Sequence, residues 1–496
     1  MELSREQQIA FDKYVKGENL FITGPGGSGK SELIRRIYHH AYHNYREIYV
    51  TATTGCASVL LNCKAKTLHS WAGIGLGKGT TMFHIEKIKR NHFAKKMWKS
   101  VDVLIVDEVS MLSMKLFNML NDIGKAVRKN YRPFGGIQVI FSGDFFQLPP
   151  VGDRDEPDTM RFCFESDEWN AVFPRDNQIE LQKIFRQTDE LYASILNQIR
   201  EGRIKRKAND FLTGFVGRQK DPSLIAEPTK LFPTKNKVEQ INISKMAELT
   251  SPVVTFHLKQ RRDLEMTASE RETRLHYSDQ EIQIELDFLS GNLMCDKELN
   301  LKQGAQVMSI VNLKSESGDV LICNGSQGVV LGYCPLTGSP RVRFNNGIEM
   351  VMTPFVWASD RIPGVGVTQV PLILSWALTI HKSQGATLDA AEIDVGSGIF
   401  ECGQTYVALS RVKNLSGLYL TSFDASRIRI HAKVKEFYES LRLYHAAKET
   451  NEEVYVPLVI AEEVQEAIPL PEGAVQAIEM DDDLVDSSSI KVVRLG

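Results

Sequence analysis

The chain has 496 residues, of which 43% are hydrophobic and 24% charged, which is ordinary for a globular protein and long enough for two to four domains with real cores. No apolar run approaches the roughly 18 residues of a membrane-spanning helix, and the opening Met1-Glu2-Leu3-Ser4-Arg5-Glu6 has no apolar stretch of the secretory-signal kind. The net charge of −3 hides an asymmetry: residues 451–496 hold 11 acidic and 2 basic side chains, so the first 450 carry a net +6, a balance compatible with nucleic-acid binding.

In chain order, the first predicted strand is Leu20–Thr23. It runs into Gly24-Pro25-Gly26-Gly27-Ser28-Gly29-Lys30-Ser31, and a helix-like stretch follows from Glu32 to Ile37. The eight residues match G-x-x-x-x-G-K-[ST] in full, in the strand–loop–helix setting that gives the pattern meaning. Glycines let consecutive N–H groups turn inward onto phosphate oxygens, and the helix N-terminus adds partial positive charge. Lys30 is then expected to reach the β and γ phosphates and the Ser31 hydroxyl to ligate Mg²⁺. The loop implies a nucleoside triphosphate site.

Strand-like runs at 47–52, 101–106 and 137–142 alternate with helical stretches, which predicts a parallel sheet between helices over residues 1–165. The run Val101–Val106 ends in Asp107-Glu108, where ligands bind in open α/β sheets. Asp107 is expected to hold Mg²⁺ through water and Glu108 to position and deprotonate the attacking water.

A second α/β pattern begins near 178, breaks, and resumes at Pro371–Ala377 to run to about 445. The predicted second domain therefore comprises 166–250 and 371–445. Between them, 251–370 forms an inserted region. Its later part, about 300–370, reads as short strands (Gly304–Val311, Gly328–Leu331, Arg341–Phe344, Glu349–Met352) with Asn-Gly turns at 324–325 and 346–347. This predicts a small barrel, either a nucleic-acid platform or a plain structural insert. Residues 446–496, with Asp481-Asp482-Asp483 and Ser487-Ser488-Ser489, read as an acidic disordered tail, solvated or bound by a replication protein. Seven scattered cysteines (56, 63, 163, 295, 323, 334, 402) without a C-x-x-C argue for reduced thiols, a cytoplasmic or nuclear rather than secreted setting, and no structural zinc.

With Gly143-Asp144-Phe145-Phe146-Gln147-Leu148-Pro149-Pro150, His381-Lys382-Ser383-Gln384-Gly385 and Val407-Ala408-Leu409-Ser410-Arg411, the set of motifs resembles the Pif-type (petite integration frequency) DNA helicases of superfamily 1B, relatives of the RecD and Dda helicases. The resemblance covers about residues 2–430, and its most distinctive segment is Pro133–Val151. It implies an α/β fold of two RecA-like P-loop NTPase domains. A small wedge insertion is expected in the first (about 72–95) and an SH3-like β-barrel insertion in the second. The implied activity is an ATP- and Mg²⁺-dependent helicase moving 5′→3′ on single-stranded DNA. It would act as a monomer at single-strand/duplex junctions in replication, repair or recombination.

Roles carried over by that resemblance fall on matching positions. Gln7, in Leu3-Ser4-Arg5-Glu6-Gln7, would read the adenine edge, beside phosphate-loop positions Gly24, Gly26, Gly27, Ser28 and Gly29. Gln147 would sense the γ-phosphate, and Arg186 and Arg411 would be arginine fingers from the second domain. Thr53, Thr54 and Gly55, with Thr67, His69 and Ser70, would grip the strand from the first domain. Thr234, Asn236, Thr379 and His381 would do so from the second, and Gln384 and Gly385 would join that track to the nucleotide. Pro25-Gly26-Gly27 departs from the loop's usual small residues, which a site built from backbone N–H groups tolerates.

Plain readings stand beside these. Arg186 and Arg411 are candidates for ordinary salt bridges, His381 for a core histidine, and Trp71 for packing. The cluster Lys87, Lys89, Arg90, Lys95, Lys96 and Lys99 suits a solvated helix face as well as DNA contact. Two other functions compete: a DNA-stimulated ATPase that remodels protein–DNA complexes without unwinding, and a nucleotide switch with no motor. Glu108 and the two candidate fingers weigh against the switch.

Overall fold

The computed structural model describes residues 3–449, except 54–62, 64, 76, 187–188, 223, 294, 315–319 and 360–361. Its first lobe is built on six parallel strands: β1 (Leu20–Thr23), β2 (Ile48–Ala52), β3 (Lys66–Thr67), β4 (Val103–Asp107), β5 (Gln138–Ser142) and β6 (Gln178–Glu180), ordered β3-β2-β4-β5-β1-β6. Strands β1, β4 and β5 are buried at every position. That is why they read as unbroken apolar runs: helices cover both faces of the sheet. Alternate residues serve different cores. Val103 and Ile105 meet Leu33, Ile34 and Ile37 of α2 (Lys30–His43), whereas Leu104 and Val106 join Phe117 and Leu120 of the helix Met114–Arg128.

Because the strands are parallel, the loops after β1, β4 and β5 leave from one edge, and this edge carries the phosphate loop, Asp107-Glu108 and Asp144–Gln147. The helix α1 (Arg5–Val15) reaches the same region, its start fixed by a capping box between Ser4 and Gln7.

The second lobe has four parallel strands, Ala377–Thr379, Thr229–Phe232, Ala391–Val395 and Leu418–Phe423 in spatial order. The fold is thus α/β with two RecA-like domains. The inserted region contains a five-stranded antiparallel sheet, Glu349–Val351, Pro340–Phe344, Gln327–Tyr333, Gln306–Ser309 and Leu372–Leu374, curled over Val307, Val330, Val342 and Phe344. A boundary at 370 is corrected here: Leu372–Leu374 pairs with Gln306–Ser309 and belongs to this insert.

Three further boundaries move. The first lobe runs past 165, because β6 pairs with β1 and Trp169 and Phe173 sit in the first-lobe core. The insertion in the first lobe was expected over 72–95, but its second helix, His92–Ser100, runs past that limit, and its Trp98 packs on Trp71 with ring centroids 4.7 Å apart. The helix Ala432–Glu449 continues beyond 445, and its apolar face turns to the first lobe while Glu439 and Arg442 pair with Arg203 and Glu201 of the second. Its Val434, Phe437, Tyr438 and Leu441 enter the first-lobe core beside Phe21 and Phe145. Their i, i+3, i+4, i+7 spacing makes one apolar stripe. Among the described residues, no helix is long and apolar enough to cross a membrane.

Candidate nucleotide site and nucleic-acid track

The loop after β1 closes into a cradle facing a cavity of ≈ 300 Å³ lined by Gly26–Glu32, Asp107, Glu108, Gln147, Phe185, Arg186, Gly385 and Arg411. Gly29 has φ +82, a backbone conformation that favours glycine, and a Cβ there would stand 2.5 Å from Gln7 Nε2 and displace that amide. The Lys30 ammonium donates to the loop's own carbonyls, Gly24 O at 2.7 Å and Pro25 O at 3.0 Å. Burial pushes its pKa down, against the pull of Asp144, Glu108 and Asp107. Ser28 Oγ is buried with no partner among the described residues. A cation on loop carbonyls and an orphaned hydroxyl are what an anion-binding loop offers when its N–H groups face a cavity.

Burial, reinforced by the neighbouring Glu108 charge, raises Asp107 to about 7, with Ser142 and Lys30 opposing. Two carboxylates this crowded favour a nearby cation. Asp107 and the Ser31 hydroxyl at the start of α2 therefore form a hard-oxygen donor set suited to Mg²⁺. Glu108 is held in the left-handed region (φ 54, ψ 43), an uncommon conformation for a non-glycine residue that turns the chain sharply after β4.

From the second lobe, Gln384 Nε2 reaches Glu108 Oε2 at 3.3 Å and Gln147 Oε1 at 3.4 Å. Arg411 is buried and donates to Val407 O (2.9 Å), Ser410 Oγ (2.8 Å) and Ala386 O (3.4 Å). Arg186 Nη1 reaches Ser410 O at 3.4 Å. Burial, then repulsion from Arg186, brings Arg411 down to about 10. Two guanidiniums on carbonyls and a hydroxyl, repelling each other beside a glycine-rich loop, have the electrostatics of a polyanion site.

The sequence profile of the PIF1-like helicase family matches residues 2–210, and that of the DNA helicase Pif1 2B domain matches 286–333. The chain is similar to the ATP-dependent DNA helicase PIF1 of Emericella nidulans, with 34% identity over 86% of this chain and 61% of that one. It also matches a crystal structure of Pif1 helicase from Candida albicans at 36% identity and a TM-score of 0.70, over 89% of this chain and all of the other. The chain belongs to the PIF1-like helicase family. A further neighbour is a Pif1 helicase from Bacteroides in complex with ADP-AlF3 and ssDNA, at 28% identity and a TM-score of 0.62, covering 90% of this chain and 98% of that one. The chain spans less than two thirds of the first curated relatives, 61% of the Emericella protein and 64% of human PIF1.

Of the residues expected to contact a nucleic-acid strand, Thr53 is the most informative. Its hydroxyl donates to Glu108 O at 2.9 Å and its N–H to Asp107 O at 3.2 Å, so this candidate residue is bonded to the turn carrying the acidic pair. Thr54 and Gly55 lie outside the described residues. Thr67 caps the helix Leu68–Ala72, its hydroxyl accepting from Ser70 N–H, and places His69 on a cavity of ≈ 430 Å³ with Lys78, Pro150 and Val151. Thr234 and Asn236 are exposed at the start of the helix Lys235–Glu248. Thr379 accepts from Lys382 N–H and holds the turn that carries the half-buried His381.

Gln7 and Trp71 are both shut into the interior. Gln7 is buried, with Oε1 accepting from Ser4 N–H and Nε2 donating to Ser28 O and Gly29 O at 3.3 Å each, so its amide braces the loop in this conformation. Trp71 is core packing. Sequence reasoning missed Tyr406, whose hydroxyl meets Gly26 N–H across the lobes, and the Asp144–Arg200 pair. The aromatic preceding Val407 was a visible signal for Tyr406.

Proposed function

We propose that this chain is an ATP-dependent DNA helicase that moves 5′→3′ along single-stranded DNA. The observation that carries this reading is the shared cavity: Lys30, Asp107, Glu108 and Gln147 from one lobe face Arg186, Arg411 and Gly385 from the other. Relatives named as ATP-dependent DNA helicases, and a relative captured with ADP-AlF3 and ssDNA, support it. The direction of movement rests on family likeness.

In this reading Lys30 leaves the Gly24 and Pro25 carbonyls for the phosphates, and the loop N–H groups take the oxygens. Mg²⁺, held by Ser31 and Asp107, would supply charge to the phosphates. Glu108 takes the proton of the attacking water. Arg186 and Arg411 offset charge that grows on the transferring group, an effect worth about 10³–10⁵ in rate. Gln7 contributes to purine recognition by exchanging its two long 3.3 Å bonds for the adenine edge.

Coupling follows from three bonds already present. Thr53 ties the first-lobe track to Glu108, and Gln384 ties the second-lobe turn bearing His381 to Glu108 and Gln147. A change at the acidic pair therefore reaches both grips, which is what a two-state motor needs. Opening duplex takes about 1.4 kcal/mol per step, within reach of a motor that advances one nucleotide per cycle.

The test is steady-state ATPase with and without single-stranded DNA, paired with unwinding of duplexes bearing a 5′ or a 3′ tail. Stimulation plus unwinding from the 5′ tail alone is expected. Stimulation and translocation without strand separation would leave the remodelling ATPase instead, and ATPase indifferent to DNA would leave the switch.

A further inference from the structure

The second-lobe helix Gln404–Leu409 begins at Gly403, whose backbone lies so close to the first lobe that a Cβ there would meet Gln147 O at 2.6 Å. From this helix the Tyr406 hydroxyl crosses the lobe boundary and accepts a hydrogen bond from Gly26 N–H at 2.7 Å. The ring is 3% exposed, packed in the second-lobe core. A Cβ at Gly26 would lie 3.5 Å from this hydroxyl and 3.7 Å from Ser410 Cβ, so both side chains lie beside the loop at ordinary contact distance. Ser410 is also the residue whose carbonyl and hydroxyl receive Arg186 and Arg411.

The hydroxyl therefore stands where an oxygen of a bound anion would stand relative to a loop N–H, on the flank of both guanidiniums. No acceptor among the described residues takes its proton. Burial and the Asp144 charge raise its pKa, which keeps it a neutral donor. A phenol that accepts from the loop and has its own proton to give can exchange the loop N–H for a phosphate oxygen.

We propose that Tyr406 senses the terminal phosphate. Without nucleotide its hydroxyl latches the second lobe to Gly26. With a triphosphate the Gly26 N–H turns to the phosphate and the hydroxyl donates to a γ-oxygen. With a diphosphate that acceptor is missing and the latch re-forms. Lobe closure thus distinguishes the substrate from its product through one hydroxyl, in addition to the arginines.

This inference rests on the nucleotide reading above. Its test uses Tyr406→Phe in the full chain, which keeps the ring and removes the hydroxyl. Tyr192→Phe is the control, because the Tyr192 hydroxyl is equally buried and donates to Leu409 O of the same helix at 2.7 Å without nearing the loop. The readout is the ratio of affinities for a non-hydrolysable ATP analogue and for ADP, beside ssDNA-stimulated kcat. Loss of a hydrogen bond to a charged group predicts a fall in that ratio of about tenfold or more for Tyr406→Phe and none for Tyr192→Phe.

An unchanged ratio in Tyr406→Phe, or an equal fall in both variants, overturns the proposal. If Tyr406→Phe does not fold, 3-fluorotyrosine at 406 in the otherwise unaltered chain decides: a ¹⁹F shift with the ATP analogue but not with ADP supports the sensor, and the same response to both overturns it. A wild-type chain that does not hydrolyse ATP would instead remove the underlying reading.

Discussion

The guanidinium of Arg200 spans both carboxylate oxygens of Asp144, Nε to Oδ2 at 2.8 Å and Nη2 to Oδ1 at 2.9 Å, and both side chains are shut off from water. Arg200 ends the helix Glu190–Arg200, which packs in the second lobe, and Asp144 follows β5 in the first. The guanidinium also lies 4.5 Å from the Phe146 ring and 5.2 Å from that of Tyr438. Burial pushes against its charge, yet the Asp144 charge and hydrogen bonds together raise its pKa above the ordinary value. Such a pair gains little net stability over apolar packing, but removing one member strands the other, at about 3–5 kcal/mol. Arg200→Met and Asp144→Leu should each lower the unfolding free energy by that amount, read from the urea midpoint and slope. The double variant should recover much of the loss, and additive losses in the double-mutant cycle would sink this account.

Phe437 locks the returning C-terminal helix onto the first lobe. Its ring stacks on Phe164 at 4.5 Å and meets Phe145 edge-on at 5.5 Å. Truncating a buried phenylalanine costs about 3–5 kcal/mol, so Phe437→Ala should unfold at markedly lower urea. A shift of only a few tenths of a kcal/mol would mean that the helix is a dispensable cover.

These two contacts explain what the sequence could and could not convey. The phosphate loop was legible because Gly24, Gly27 and Gly29 encode a local chirality, and Asp107-Glu108 because a fully buried strand announces its own end. The apolar stripe Val434, Phe437, Tyr438, Leu441 announces a helix, yet nothing local says which lobe its face will meet. Leu372–Leu374 has the same apolar character as a parallel core strand, so its pairing with Gln306–Ser309 required the fold. Gln7 lies in a recognisable motif, but only three-dimensional placement puts its amide on the Ser28 and Gly29 carbonyls.

At the site itself, Glu108→Gln keeps shape and hydrogen-bonding capacity while removing the carboxylate proposed as the base. Turnover should fall about 10²–10⁴-fold with affinity for ATP nearly unchanged, measured by single-turnover hydrolysis and equilibrium binding. Arg411→Ala and Arg186→Ala should each cost at least about 10³ in kcat. Arg411→Lys should not restore the rate, because the planar fork that now bonds Val407, Ser410 and Ala386 cannot be reproduced by a single ammonium. Full activity in Arg411→Lys would reduce that arginine to a simple point charge.

His69 and His381, proposed here as contacts of the strand, carry a pH dependence. Burial lowers both imidazole pKa values, with Glu401 opposing at His381. In the unfolded chain each accepts a proton near pH 6.5, whereas the folded chain resists until lower pH. The unfolded state therefore binds more protons in that window, so the contribution to stability is complete above about pH 6.5 and is lost as pH falls through the folded values. His69→Gln and His381→Gln should accordingly lose less thermal stability than the parent between about pH 7.5 and 5.5. Neutral at the upper pH, these rings would meet the strand as hydrogen-bonding groups, not as cations. The salt dependence of single-stranded DNA affinity should then be the same in parent and variants at about pH 7.5. A slope shallower by about one per histidine in the variants would show that each ring is already an imidazolium paired with a phosphate.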